Sequence, residues 1–352
     1  MDGWRDDGSV VGGPWSHYRK QTLVPERIGR SVWCRSLCLS DHVPRTTDNG
    51  PASAASMSRD ILAFSPRLRL LAFRAAFATA ETLPIWLGRT LAYACGTLSW
   101  LCDPRGRRTV RRNLAHFIPP ACPEALDRAV RRSYVNFAFS LCESFGLRGL
   151  GRECFQPPNL ELVDPWGTFA TRPFPGAAVF TTVHANWLMA LGAYHHLGLV
   201  STIEAIRLSN GDPAIDALFE RVIAPFGCRS LLLDRAPLAS LRALKDGRPL
   251  AVVAERDYKG TGLPIRFAGE MTRMPIGPAA LSVQTGAPVI PNLMARRSAG
   301  RFVLIVGRPV HADPTRAKGE QVADLTRRLA AVHARFIAAA PAQWVAFHDA
   351  WA

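Results

Sequence analysis

From about residue 160 onward, short apolar runs alternate with amphipathic stretches of helical length. Runs of four to eight apolar residues are typical of buried strands, and the stretches between them are long enough for crossover helices. The strand candidates are 160–163, 177–183, 202–206, 230–233, 250–255, 264–267, 288–294 and 302–306. The helix candidates are 186–198, 212–226, 237–247, 276–286, 319–339 and 342–350. The pattern predicts an α/β fold, with all eight strands in one central mixed, largely parallel sheet flanked by helices.

The part of the chain before residue 160 has helical periodicity and is rich in arginine. In residues 66–80, Arg67 and Arg74 lie one heptad apart, and leucine, phenylalanine and alanine supply an apolar side. Residues 104–152 hold ten arginines but only three acids. Basic amphipathic helices of this kind are typical of segments that dock on an anionic membrane, and a solvated helix face is the ordinary alternative. Residues 58–155 are therefore predicted to be a helical membrane-docking part, and residues 156–352 the α/β core.

Residues 1–57 show little periodicity and are rich in glycine, serine, aspartate and proline. This composition predicts a disordered extension or a mis-assigned start ahead of Met57. The eight cysteines of the chain form no CxxC pair and have no histidine at zinc spacing. Neither a metal site nor a disulfide framework is therefore predicted.

Two apolar stretches raise the question of a membrane span. Residues 173–203 contain no charged residue in 31 positions, but proline, glycine and three histidines divide them into a strand, a turn and a helix. Residues 83–101 carry Arg89 near their centre, where a charge is costly in hydrocarbon. A span is rejected for the first stretch and is not favoured for the second.

The net charge of +15 is carried almost wholly by arginine, since only four of the 43 basic residues are lysines. An arginine-rich surface favours phosphate or anionic lipid as its partner. The chain contains no GxxxxGK[ST], GxSxG or HExxH motif, and no helix-turn-helix, zinc-finger or RNA-binding signature. Nucleotide hydrolysis, serine hydrolysis and zinc proteolysis thus have no support. A non-enzymatic protein that binds anionic lipid or nucleic acid stays as the competing class, with nucleic acid not expected.

His184 and Glu255 each stand directly after a predicted strand, behind AAVFTTV and PLAVVA. In open α/β sheets, sites form beyond the carboxyl ends of the strands. A histidine at such a position, with a carboxylate from a neighbouring strand, is the arrangement of a general base, because the acid fixes the tautomer of the imidazole. On spacing alone, a histidine in an apolar stretch is more often a buried core residue with satisfied hydrogen bonds.

The sequence from Ala254 onward resembles a known family. It begins AERDYKGTGLPIRFAGEMTRMPIGPAAL and continues to TGAPVIP; DPRGRRTVRRNLAHFIP at 103–119, IRLSNGDPAIDALFERVIAPFG at 206–227 and the closing PAQWVAFHDAW agree with it. These motifs resemble the lipid A biosynthesis acyltransferases, and the ERD, GTG and TRMPxGPAAL elements resemble their phosphatidylinositol mannoside branch. The resemblance covers about residues 66–352.

The resemblance implies that a fatty acyl chain moves from acyl-CoA or acyl carrier protein to a hydroxyl of a membrane glycolipid. It implies a peripheral or singly anchored enzyme at the cytoplasmic face of the plasma (inner) membrane, with no cofactor beyond the acyl donor. His184 would be the general base and Glu255 its partner. The expected substrate-binding residues are Asn186, Trp187, Arg207, Arg256, Asp257 and Arg273. Each arginine of this set is a candidate for phosphate, with a structural ion pair as the alternative.

One motif departs from the family pattern, in which four residues separate the histidine from an Asp or Glu, commonly with an Asn-Trp pair just before the acid. Here His184 is followed by Ala-Asn-Trp-Leu-Met, so one residue is missing and the acid is absent. Glu255 matches a family glutamate and is the preferred substitute for the lost acid, with Asp257 as the alternative. A catalytically weakened or inactive relative stays open at this point.

Overall fold

The structure is a computed structural model that describes residues 66–258, 260–298 and 300–351. The predicted disordered extension, residues 1–57, lies outside the described residues. Within the described residues, four α-helices precede the first strand: α1 Pro66–Thr82, α2 Ile85–Cys102, α3 Pro104–Ala115 and α4 Pro123–Phe145. Helix α3 begins where the Asp103 carboxylate accepts a hydrogen bond from the Gly106 amide at 2.8 Å, with Pro104 in the first turn.

Within the described residues, seven strands form the main sheet, in the order β1-β9-β8-β2-β5-β3-β4. They are β1 Leu160–Val163, β2 Val179–Thr182, β3 Ile203–Arg207, β4 Cys228–Leu232, β5 Leu250–Val253, β8 Val289–Ser298 and β9 Arg301–Val306. The β8–β9 pair is antiparallel and the other neighbouring pairs are parallel. The prediction of a mixed, largely parallel sheet is confirmed. Strand β2 is central and buried on both faces, which explains its uncharged sequence.

The other helices cover the sheet and connect its strands. They are α5 Trp187–His196, α6 Pro213–Ile223, α7 Ala236–Lys245, α8 Gly277–Thr285 and α9 Lys318–Ala339. Helix α6 begins at Asp212, whose carboxylate accepts from the Ala214 amide at 2.8 Å. Helix α8 ends at Gly286, where a φ of +75° favours glycine. Residues 173–203 thus contain a strand and a helix, as predicted.

Two predictions about elements were wrong. The sixth predicted strand, 264–267, is not part of the main sheet, because β6 Leu263–Phe267 pairs in antiparallel fashion with β7 Glu270–Met274, a strand that the pattern did not reveal. The predicted helix 342–350 is absent apart from a short 3₁₀ turn, Pro341–Gln343. Its backbone groups instead bond to distant parts of the chain, and those tertiary contacts override the local helical preference.

The expected membrane-facing side of residues 66–80 is also corrected. Phe77 is only 1% exposed and packs at 4.2 Å, between ring centroids, on Phe145 of α4. Phe73 lies at 6.3 Å from Phe145 and from Phe219 of α6. This side of α1 is therefore part of the core that joins the N-terminal helices to the sheet domain.

The exposed apolar surface lies mainly on α2. Its large exposed side chains are Trp86, Leu91, Tyr93, Leu98 and Leu101. The glycines of the opposite side, Gly88 and Gly96, let α2 approach α4 closely, since a Cβ at Gly96 would lie 2.7 Å from the Val135 backbone. In the part of the chain that the structure describes, no helix combines the length and the apolar character that crossing a membrane requires.

Candidate active site

His184 and Glu255 lie side by side at the carboxyl ends of two neighbouring parallel strands. Strands β2 and β5 pair with Thr182 opposite Val253, so that each side chain stands two residues beyond the last pair. The His184 Nδ1 atom is 2.6 Å from Glu255 Oε1, and the His184 amide donates to the same oxygen at 3.1 Å. The histidine is partly exposed, whereas the Glu255 side chain is completely buried. The sheet register alone therefore brings together two residues that are 71 positions apart in the sequence.

The Glu255 carboxylate is held in its ionised form. Burial by itself raises the pKa of this carboxyl, but the positive charge of His184 and the hydrogen bonds from its ring and amide outweigh burial and lower the pKa to about 2. An ionised Glu255 accepts a proton from Nδ1, so that in the neutral form of the imidazole the lone pair is on Nε2. The arrangement therefore gives His184 one nitrogen that can accept a proton from a substrate.

The dyad stands at the wall of a largely apolar cavity of about 470 Å³. The cavity runs between the carboxyl ends of β3 and β5 and the helices α7 and α8, and it is lined by aliphatic residues of these elements. His184, Trp187, Arg256, Asp257 and Tyr258 lie around its polar part. Cavities of this size and character bind ligands with a long apolar portion and a polar end.

The expected substrate-binding residues fall into two groups. Trp187, Arg207, Arg256 and Asp257 line the cavity. Arg207 is held by Asp216 at 2.6 Å and by the Ser230 hydroxyl at 2.8 Å, so the structural alternative for this arginine is correct. Arg256 has no ion pair within the described residues, and its guanidinium lies 4.5 Å from the ring centroid of Tyr258. Of the three arginines, Arg256 is the one that lines the cavity without an ion pair to a described residue.

The remaining residues of the expected set have structural contacts instead. Arg273 is exposed on β7, does not line the cavity and donates to the Gly262 carbonyl at 3.0 Å. Asp257 accepts from the Gly262 amide at 2.6 Å, which closes the loop after Glu255, and it makes no contact with His184 that would replace Glu255. Asn186 is buried away from the cavity. Neither Arg273 nor Asn186 lines the cavity.

Comparisons with known proteins agree with this geometry. The sequence model of the bacterial lipid A biosynthesis acyltransferases matches residues 64–352. The phosphatidylinositol mannoside acyltransferase of Mycolicibacterium smegmatis is 31% identical over 70% of this chain and 80% of its own length. The phosphatidylinositol mannoside acyltransferase of Mycobacterium tuberculosis is 31% identical over 70% of this chain and 77% of its own length.

This chain belongs to the lipid A biosynthesis acyltransferase family. It is therefore an acyltransferase. A 1-acyl-sn-glycerophosphate acyltransferase from Thermotoga maritima superposes with a TM-score of 0.31 and 16% identity, over 68% of this chain and 96% of its own. That likeness is too low to bear on the site.

Within this acyltransferase, the missing motif acid has a local explanation. Met189, which stands at the position expected to carry the acid, is 1% exposed and packs in the hydrophobic core. An ionised acid at that position would be buried without a partner. Glu255 reaches the imidazole from the neighbouring strand instead.

A buried ionic cluster supports the turn after His184. Glu143 of α4, completely buried, pairs with Arg296 of β8 through both carboxylate oxygens and lies 3.6 Å from Arg89 of α2. The side-chain amide of Asn186 donates through Nδ2 to the Glu143 carboxylate at 2.7 Å. Glu143 is one of the three acids in the arginine-rich residues 104–152. Its contacts connect α2, α4 and β8 to the turn after His184. The buried position of Glu143 could not be predicted from the sequence, because it depends on the tertiary packing.

The C-terminal segment, residues 341–351, contacts both residues of the dyad. The Val345 amide donates to the His184 carbonyl at 2.7 Å, and Trp344 Nε1 donates to Glu255 Oε1 at 3.3 Å. Asn113 of α3 binds the Ala346 carbonyl at 2.9 Å. Agreement with the family was the one signal that pointed to this segment, and nothing in the sequence indicated its contacts. Tyr258, whose hydroxyl lies 3.2 Å from His184 Nε2, was likewise missed.

Proposed function

We propose that the protein transfers a fatty acyl chain from an acyl thioester to a hydroxyl of a membrane glycolipid of the phosphatidylinositol mannoside type. The observation that carries the proposal is the placement of His184. Its Nδ1 atom is bound to a buried carboxylate, while Nε2 faces the polar part of an apolar cavity. The relatives from Mycolicibacterium and Mycobacterium suggest the acceptor class by their names.

In the proposed reaction, His184 Nε2 takes the proton of the acceptor hydroxyl as its oxygen attacks the thioester carbonyl. The imidazolium that forms is stabilised by Glu255, which keeps its negative charge. The carbon–sulfur bond then breaks, and the proton passes from His184 to the thiolate. The products are the acylated glycolipid and the free thiol of coenzyme A or acyl carrier protein.

The walls of the cavity suit the acyl chain of the donor. Ile206, Phe219, Leu241 and Leu281 supply apolar surface, and the chain would place its carbonyl beside His184. Arg256, at the polar end, would contact a phosphate of donor or acceptor, because a guanidinium binds phosphate oxygens in pairs.

Transfer is tested with purified protein, an acyl thioester and a phosphatidylinositol mannoside, with the product identified by mass spectrometry. The wild type should form a product heavier by one acyl group. His184→Ala should slow transfer by about a hundredfold to ten thousandfold, because general base catalysis contributes that much. His195→Ala is the control for loss of a histidine elsewhere, since His195 is exposed on α5 and does not line the cavity. Transfer by His184→Ala at the wild-type rate would contradict the proposed base.

The same proposal includes docking on the membrane through α2. Its exposed apolar side chains stand beside cationic groups, since Arg107 and Arg131 both lie within 5.6 Å of the Trp100 ring. Arg105 and Arg108 of α3 are exposed. Apolar side chains next to arginine are the composition of an interfacial helix, and each cation adds about 1 kcal/mol near anionic lipid.

Docking is tested by sedimentation with vesicles that contain anionic phospholipid. The double variant Leu91→Glu/Leu98→Glu should lose most of its vesicle binding, because it removes apolar contacts and adds negative charge. Leu238→Glu is the matched control, since Leu238 is an equally exposed leucine on α7 and should change binding little. Equal binding by the double variant and the control would contradict docking through α2.

A further inference from the structure

Tyr258 occupies the one nitrogen of His184 that the reaction needs. Its hydroxyl lies 3.2 Å from Nε2, while Nδ1 is bound to Glu255 at 2.6 Å. Because Nδ1 donates its proton to an ionised carboxylate, Nε2 carries a single lone pair. With the imidazole in its neutral, basic form, the Tyr258 hydroxyl is the donor in this contact. Burial raises the pKa of Tyr258, which keeps the hydroxyl protonated and able to donate.

An acceptor hydroxyl and the Tyr258 hydroxyl compete for the same lone pair. A base with one lone pair cannot bind two hydroxyl donors in good geometry. The Tyr258 side chain is 38% exposed, and its ring contacts the Arg256 guanidinium on one side. It lies at the cavity wall in the loop that Asp257 closes onto Gly262. The side chain can therefore move aside without disruption of the core.

Water is the competitor that this contact excludes. A water molecule on Nε2 beside a bound thioester would lose a proton to His184 while its oxygen attacked the carbonyl. The carbon–sulfur bond would then break, and the thiolate would take the proton from His184, so that a fatty acid and a free thiol form. This hydrolysis uses the same base as transfer, and its only reactants are the thioester and water.

We propose that Tyr258 holds the acceptor position on His184 until the glycolipid hydroxyl displaces it, and that this limits hydrolysis of the donor thioester. The inference rests on the proposed role of His184 and makes Tyr258 a specificity-determining residue between glycolipid and water. Water, small and weakly held in the site, displaces the tyrosine poorly. A glycolipid that also binds through its other groups displaces it well.

The test compares two rates in Tyr258→Phe: release of free fatty acid without acceptor, and transfer with it. The ring is kept in this variant, so the packing on Arg256 is preserved. Loss of one hydrogen bond should raise hydrolysis relative to transfer by about threefold to tenfold. The KM for the acceptor should fall by a similar factor, since the glycolipid no longer competes with the hydroxyl.

Tyr194→Phe is the matched control, because Tyr194 is buried in the core and its hydroxyl has no hydrogen-bond partner in the described residues. It should leave both rates and the acceptor KM as in the wild type. A ratio of hydrolysis to transfer in Tyr258→Phe equal to that of the wild type overturns the inference alone. If His184→Ala retains both reactions, the proposed base fails and the role of Tyr258 falls with it.

Discussion

Glu255 illustrates what single residues contribute to the site. Its Oε1 atom accepts from the His184 amide, the His184 ring and the Trp344 indole, all within 3.3 Å. The position of this glutamate after an apolar strand, and its match to a family residue, were sufficient to predict its partner. Its burial and its third donor could not be predicted, because both depend on the C-terminal segment.

The ionised state of Glu255 predicts how stability depends on pH. The pKa of this carboxyl is about 2 in the folded protein, against an ordinary value of 4.5. Its contribution to stability is therefore present above the ordinary value, and is lost as the pH falls toward the folded value. The stability advantage of the wild type over Glu255→Gln, as a difference in the free energy of unfolding, should shrink as the pH falls below about 4.5. Urea denaturation across this range measures it, and a difference independent of pH would argue against an ionised Glu255.

At the level of elements, the C-terminal segment shows where sequence patterns fail. Trp344, Phe347 and Trp351 have a spacing of three and four residues, which predicts a helix with one apolar side. In the structure the segment is irregular beyond the 3₁₀ turn, and Trp351 stacks on His116 with ring centroids 3.8 Å apart. The strands and helices of the sheet domain were predictable, because their apolar runs are buried by neighbours of the same kind.

Trp344→Phe tests whether this segment serves the site. The change keeps an aromatic ring in the core and removes the indole donor to Glu255. Turnover should fall by about threefold to tenfold, because a hydrogen bond to a charged group is lost. Trp166→Phe, at an exposed tryptophan on Arg308, is the control. Equal turnover in wild type and Trp344→Phe, measured at saturating substrates, would show that the indole does not support the dyad.

For the chain as a whole, the strand order is the feature that the sequence could not supply. Strand β2 lies between β8 and β5, which come from much later in the chain. Candidate residues could be assigned to the ends of individual strands, but the order in which the strands lie side by side in the sheet could not be predicted. The membrane contact expected for the apolar side of residues 66–80 was misjudged because apolar side chains are suited both to a protein core and to a membrane surface.

The most direct measurement is the turnover of Glu255→Gln at saturating thioester and glycolipid, beside Asp257→Asn. Both changes replace an acid by its amide within the same loop, but only Glu255 contacts His184. The proposed dyad predicts that Glu255→Gln lowers turnover by about a hundredfold or more, with donor affinity little changed, while Asp257→Asn does less. Turnover of Glu255→Gln within about threefold of the wild type would contradict the dyad, since a neutral amide cannot stabilise the imidazolium.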